Sequence, residues 1–122
     1  MCIRDSTSLR DYFKWDQALS NRDDMAKRLS MSPESLASVF KAGQLNDGTA
    51  TEYGFGWRLR TIDQRKEIFH DGRTSGFNNA VIRIPDIKLS VCVLTNRADA
   101  SAGAIAKKVV EAYLSKELQP SP

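Results

Sequence analysis

The sequence predicts an α+β fold: an antiparallel sheet, a meander of about four strands, flanked by helices. Three observations predict it. Apolar residues recur at helical spacing up to residue 43 and again after residue 101. From Tyr53 to Thr95 the chain alternates with period two or runs continuously apolar. The connections between those extended runs are short, as antiparallel neighbours allow and parallel ones do not.

Ser8 caps a helix over Leu9–Leu19, and Asp11 stands in the capping-box position. Leu9, Tyr12, Phe13, Trp15 and Leu19 form its apolar face. The polar stretch from Asn21 to Asp24 reads as a loop. Ser32-Pro33-Glu34-Ser35 starts a second helix, with Ser at the N-cap and Pro at the first helical position. Leu36, Val39 and Phe40 make its buried stripe, and Gly43 ends it. Asn46-Asp47-Gly48-Thr49 is turn chemistry.

From Tyr53, aromatic and apolar Phe55, Trp57 and Leu59 alternate with Gly54, Gly56, Arg58 and Arg60, which predicts a strand with an aromatic face. Asp63 to Lys66 forms a hairpin loop, and Glu67–His70 resumes the extended chain. After a glycine-rich stretch, Phe77–Ile84 is a strand, and Pro85-Asp86 turns the chain. The run from Lys88 to Thr95 is apolar on both faces and reads as a central strand. Asp99 or Ser101 starts a closing helix to about Leu118, with Ile105, Val109, Ala112 and Tyr113 inward, followed by a loose tail.

Composition narrows the function classes. With 41% apolar and 27% charged residues, the chain has the makeup of a folded soluble domain or part of one. Its net charge of +3 is spread over scattered basic residues, without the basic stripe and stacking aromatics of a nucleic-acid binder. No nucleic-acid partner is expected. The apolar runs are far shorter than the ~20 residues of a membrane span. Of the two cysteines, Cys92 lies in a strand as an apolar filler, and no Cys/His cluster suggests a metal. Neither metal nor cofactor is expected.

Residues 1–6, Met-Cys-Ile-Arg-Asp-Ser, have no periodicity that feeds the rest. They match the in-frame translation of a transposon-end adapter from sequencing libraries. They are expected to be an artefact joined to a gene fragment. On that expectation, the remaining chain, 7–122, is an incomplete domain that has lost whatever preceded Thr7.

The segment His70-Asp71-Gly72-Arg73-Thr74-Ser75-Gly76-Phe77 is the most informative. Gly72 and Gly76 permit close backbone approach or positive φ. His70, Thr74 and Ser75 add hydrogen-bonding groups beside them. Acyl transfer needs backbone N–H groups aimed at an oxyanion, and a bare strand edge can supply one. The plainer alternative is a glycine-rich β-turn beside a satisfied histidine.

His-x-Gly-x-Thr-x-Gly-Phe resembles the third motif of the serine β-lactamase-like family, which includes class C β-lactamases, D-alanyl-D-alanine carboxypeptidases and related esterases. There it takes the place of Lys-Thr-Gly. Ser6-Thr7-Ser8-Leu9 leading to Lys14-Trp15 resembles the family's helix. Tyr53-Gly54-Phe55-Gly56-Trp57 resembles its Tyr-Gly-x-Gly-Trp strand. Arg83-Ile84-Pro85-Asp86 with Val91-Cys92-Val93-Leu94-Thr95-Asn96-Arg97 resembles its closing strand pair. The resemblance runs from Ser6 to Leu114.

The resemblance implies that this is the C-terminal part of a β-lactamase/transpeptidase-like fold, from a bacterial gene whose product is periplasmic or secreted, and a metagenomic source is expected beside the adapter-like start. His70 and Gly72 would line the substrate cleft. The backbone N–H of Arg73 would be an oxyanion donor, and Thr74 and Ser75 would lie near substrate. The Arg73 side chain departs from the small residue usual there; it either alters which acyl donors fit or points to solvent. The family's nucleophile is a Ser-x-x-Lys serine early in the domain, which attacks an amide or ester such as a β-lactam, a D-Ala-D-Ala peptide or a small ester. Ser38-Val39-Phe40-Lys41 matches that string but closes a short helix about thirty residues before His70, and reads as coincidence. Tyr113-Leu114-Ser115 matches a Tyr-x-Ser element but lies on the closing helix. The fragment is therefore expected to be inactive alone, and self-association through uncovered strand edges follows. The alternatives are a catalytically silent binding or scaffold member of the same fold, or an intact small binding domain whose likeness is accidental.

Overall fold

A computed structural model describes residues 6–117. The expected artefact therefore lies outside the described residues except for Ser6, as does the loose tail.

Three helices come first: α1 (Leu9–Ser20), α2 (Arg22–Leu29) and α3 (Pro33–Ser38). Four strands follow, β1 (Arg58–Ile62), β2 (Arg65–Thr74), β3 (Phe77–Ile84) and β4 (Leu89–Thr95), and then helix α4 (Ala102–Glu117). The sheet is an antiparallel meander in the order β1-β2-β3-β4.

Local chemistry sets the helix starts. Ser8 Oγ accepts the Asp11 N–H at 3.1 Å and donates to its carboxylate at 2.8 Å. Ser32 accepts the Ser35 N–H at 3.1 Å, with Pro33 opening α3. The stretch expected to be a loop at Asn21–Asp24 is instead the start of α2. Asn21 caps it through the Asp24 N–H, and Asp23 and Asp24 sit favourably in its first turn. Helix α3 stops at Ser38, before Gly43, and three successive i→i+3 hydrogen bonds then carry the chain to Lys41.

The hairpins are equally local. Asp63 and Gln64 both take positive φ, as do Ser75 and Gly76. Each pair makes a two-residue turn whose twist suits the flanking strands. A 3-10 turn over Pro85–Ile87, with Lys88 in the left-handed region, joins β3 to β4.

The two sheet faces carry separate cores. Ala80, Ile82, Ile84 and Val91 meet Ala102, Ala106 and Val110 of α4. The other face places Ile68 and Val81 against Leu19, Met25, Leu36, Phe40 and Trp57. The inward stripe of α4 is thus Ala102, Ala106 and Val110, rather than the expected Ile105, Val109, Ala112 and Tyr113, which are exposed. Two alanines let the helix axis come close to the sheet. The larger residues point away from it.

The expected apolar face of α1 is also corrected. Leu9, Phe13 and Trp15 are exposed, while Asp16 and Leu19 are buried. Polar groups fasten α1 to the sheet. Arg83 Nε lies 3.2 Å from Asp16 Oδ1, and Arg83 also donates to Ser20 Oγ at 2.8 Å. Ser90 donates to Asp16 Oδ1 at 2.7 Å. Finally, β4 is an outer strand of the described sheet, and the expected central position is not seen among the described residues.

Tyr12 lies beside this network, and its buried hydroxyl has no partner among the described residues. Burial first, and then the Asp16 carboxylate, push its pKa upward. A raised folded pKa means the fold prefers the neutral phenol. That contribution is complete below the ordinary value of 10.0 and is lost as pH rises through the folded value. Tyr12→Phe should flatten the alkaline limb of melting temperature against pH above 10.0. An unchanged limb would clear Tyr12 of that dependence.

Candidate functional site

Strand β2 is longer than its outer neighbour. β1 pairs only with Arg65 to Phe69, whereas β3 pairs with β2 as far as Thr74. From His70 to Thr74, the outer edge of β2 therefore has no strand partner among the described residues. Sheet edges that present unpaired backbone groups can receive an extended ligand.

Pairing assigns the faces. His70 stands opposite Val81, Gly72 opposite Asn79 and Thr74 opposite Phe77. These residues share the face that carries α1 to α3. Asp71 and Arg73 stand opposite Ala80 and Asn78, on the α4 face. His70 is half-buried, and Asp71 to Ser75 are exposed. A Cβ built on Gly72 would meet nothing within 4 Å. The space above it is open, and a separate shallow groove of 690 Å³ on the same face is lined in part by Thr74, Phe77, Asn79 and Leu94.

The predicted candidates thus separate. His70, Gly72 and Thr74 line one face. Ser75 falls in the hairpin turn with φ of 41°. The Arg73 side chain neither reaches the groove nor runs free into solvent. Its Nε donates to Asn78 Oδ1 at 2.8 Å, and its Nη2 to the Ala98 carbonyl at 3.2 Å. Buried Asn78 donates in turn to the carbonyls of Arg97, Ala98 and Ala100. This knot ties the β2–β3 hairpin to the segment before α4, so the Arg73 backbone is steadied while its side chain is kept off the groove face.

One neighbour of His70 was missed as a site residue. Tyr53 Oη lies 3.3 Å from His70 Nε2, with the rings edge-on at 6.3 Å. The expected strand from Tyr53 is in fact a tight loop. Tyr53 bridges Arg58, Gly56 takes φ of 76°, and regular strand begins only at Arg58. Trp57 turns inward against Phe40, with ring centroids 6.2 Å apart, while Phe55 is exposed. A Cβ on Gly54 would fall 2.8 Å from the Lys41 carbonyl oxygen and 2.9 Å from that of Val39. Only glycine lets this loop lie so close to the end of α3. The alternation of the motif therefore reflects a close backbone approach, and the tyrosine beside the paired glycines was the available signal.

The two strings set aside in the sequence stay apart from the groove. Ser38 Oγ donates to the Ser35 carbonyl at 2.6 Å, closing α3. Tyr113 and Ser115 are exposed on α4, across the sheet from His70. Among the described residues, no group of three or more His, Cys, Asp or Glu could hold a metal ion. Among the described residues, no helix is long and apolar enough to cross a membrane.

Comparison with known proteins agrees with this layout. The family model described as Beta-lactamase matches residues 4–114. The chain is 32% identical over 90 residues to penicillin-binding protein 4* of Bacillus subtilis, covering 73% of the chain and 19% of that protein. It is 31% identical over 116 residues to a D-aminopeptidase of Cereibacter sphaeroides, covering 92% of the chain and 20% of that protein. The chain thus spans about a fifth of the length of the curated relatives it matches. An α+β meander, a histidine strand with an open glycine edge and a family match across nearly all described residues lead to one assignment: the chain belongs to the Beta-lactamase family, the serine β-lactamase-like hydrolases.

Proposed function

We propose that this chain is the C-terminal part of a serine hydrolase, and that the strand from His70 to Thr74 forms one wall of its substrate cleft. The supporting observation is the unpartnered edge of β2, bare at Gly72, with Thr74 on the same face lining a groove. His70 and Gly72 line the cleft, and Thr74 flanks the substrate. The backbone N–H of Arg73 is one oxyanion donor, stabilising negative charge that develops on the attacked carbonyl oxygen. Ser75, at the hairpin tip, lies at the edge of the cleft.

The nucleophile is a Ser-x-x-Lys serine encoded upstream of Thr7. Its attack on an amide or ester carbonyl gives an acyl-enzyme that water then hydrolyses. The relatives are a penicillin-binding protein, penicillin-binding protein 4*, and a D-aminopeptidase. They favour a β-lactam, a D-amino-acid peptide or a related small ester as the substrate class. On this reading the present chain alone is inactive, because nucleophile, base and oxyanion donors act as a unit. The bacterial relatives favour an exported, periplasmic or secreted parent.

The test is to read the gene upstream and express the longer product. A continuous frame carrying Ser-x-x-Lys, with a serine acylated by a fluorescent penicillin or a fluorophosphonate, is expected. A stop codon close upstream would end the proposal. A longer product without a reactive serine would leave a silent member of the fold.

A further inference from the structure

We infer that Tyr53 is a positioning residue that fixes the tautomer of His70, so that the imidazole keeps its proton on Nδ1 and has that N–H to offer a ligand. The inference deepens the reading above and rests on it for its functional meaning. The tautomer itself is a property of the chain.

Tyr53 Oη and His70 Nε2 are 3.3 Å apart, and the rings meet edge-on at 64°. A contact of this kind can run in either direction, so chemistry decides. A phenol O–H is a better donor than a neutral imidazole N–H, and the bare imidazole nitrogen is a better acceptor than a phenol oxygen. Tyr53 therefore donates, Nε2 accepts and the ring proton resides on Nδ1. An unconstrained histidine side chain prefers the opposite tautomer, protonated at Nε2. The contact inverts that preference.

Both partners are held by backbone. His70 lies in the β2–β3 ladder opposite Val81. The Tyr53 carbonyl accepts from the Gly43 N–H and from Thr51 Oγ1, each at 2.9 Å. The next residue, Gly54, lies against the carbonyls at the end of α3. The phenol is thus anchored on one element and the imidazole on another. Among the described residues, Nδ1 has no hydrogen-bond partner.

The consequence is a division of labour. A neutral His70 that carries its proton on Nδ1 can donate there to a carbonyl or carboxylate oxygen. It cannot take a proton at that atom. His70 then orients a substrate oxygen, and the general base is another group.

The experiment uses the single histidine of the chain, so no assignment is needed. Histidine is labelled with 15N, and the two ring nitrogens of the neutral imidazole are read by magic-angle-spinning spectroscopy. This measurement works whatever the association state. The expected spectrum has Nδ1 protonated and Nε2 bare. Tyr53→Phe should restore Nε2–H, while Tyr113→Phe on α4 should change nothing. Should Tyr53→Phe disturb the loop, uniform 3-fluorotyrosine keeps the shape and makes the phenol more acidic, and the Nε2 resonance should then move. Nε2–H in the unaltered chain would overturn the inference, as would a resonance indifferent to both changes. Failure of the hydrolase reading is separately visible as an unlabelled longer protein, whatever tautomer His70 adopts.

Discussion

Asp16→Ala is expected to destabilise the chain by about 3–5 kcal/mol, a large share of the ~5–15 kcal/mol that holds a typical domain folded. The Arg83 and Asp16 side chains are only 9% and 7% exposed, so the arginine left behind would be a buried charge without its counterion. The same carboxylate accepts from Ser90, so a hydroxyl would lose its partner as well. The substitution also releases α1, because few apolar contacts hold that helix. Leu19 is buried, whereas Leu9, Phe13 and Trp15 face outward. Denaturant unfolding measures the loss. The double change Asp16→Leu with Arg83→Met should recover most of it, since an apolar pair of similar volume avoids both desolvation costs. A loss below about 1 kcal/mol for Asp16→Ala would put the pair in the class of exposed ion pairs and sink the argument.

This network also shows where the sequence was legible. Caps, hairpins and strand limits depend on a few adjacent residues, so Ser8, Ser32 and the β3 strand Phe77–Ile84 could be read directly. Helix orientation depends on what the helix meets. Helix α4 puts Ala102 and Ala106 on the sheet because close approach buries more than a bulky interface would, and the sequence lists its larger apolar residues without saying what lies opposite. Helix α1 docks through Asp16, a residue that any apolar-stripe reading assigns to solvent. The apolar run of β4 suggested coverage on both faces, yet among its residues only Val91 is buried and Leu94 is exposed, and which strands lie beside it is a long-range property.

The site divides in the same way. Gly72 and His70 could be singled out as candidates because a bare residue beside a chemically versatile one stands out in a strand. The Arg73 side chain could not be placed, since its partners Asn78 and Ala98 lie five and twenty-five residues away. Tyr53 was read as one tooth of an alternating strand. Gly54 and Gly56 in fact serve a loop, and the loop brings the phenol to His70 from seventeen residues upstream.

Gly72→Val separates stability from function more sharply than any other change at this edge. Gly72 has ordinary extended φ, and the space where a side chain would grow is empty. Valine suits a strand, and removing a strand-interior glycine should leave the fold unharmed or more stable by about 0.5–1 kcal/mol. Its methyl groups would nevertheless project from the face shared by His70 and Thr74, into the space the proposed substrate needs. In the longer protein, the rate of acylation by a penicillin or ester probe should fall at least ~100-fold, the scale on which small misplacements of a reacting group act. A conventional structural role for Gly72 predicts the reverse pattern, with lost stability and activity falling only as the folded fraction falls. If Gly72→Val melted normally and still acylated at the unaltered rate, substrate would have to bind elsewhere, and the strand from His70 to Thr74 would be a stable hairpin with no part in the chemistry.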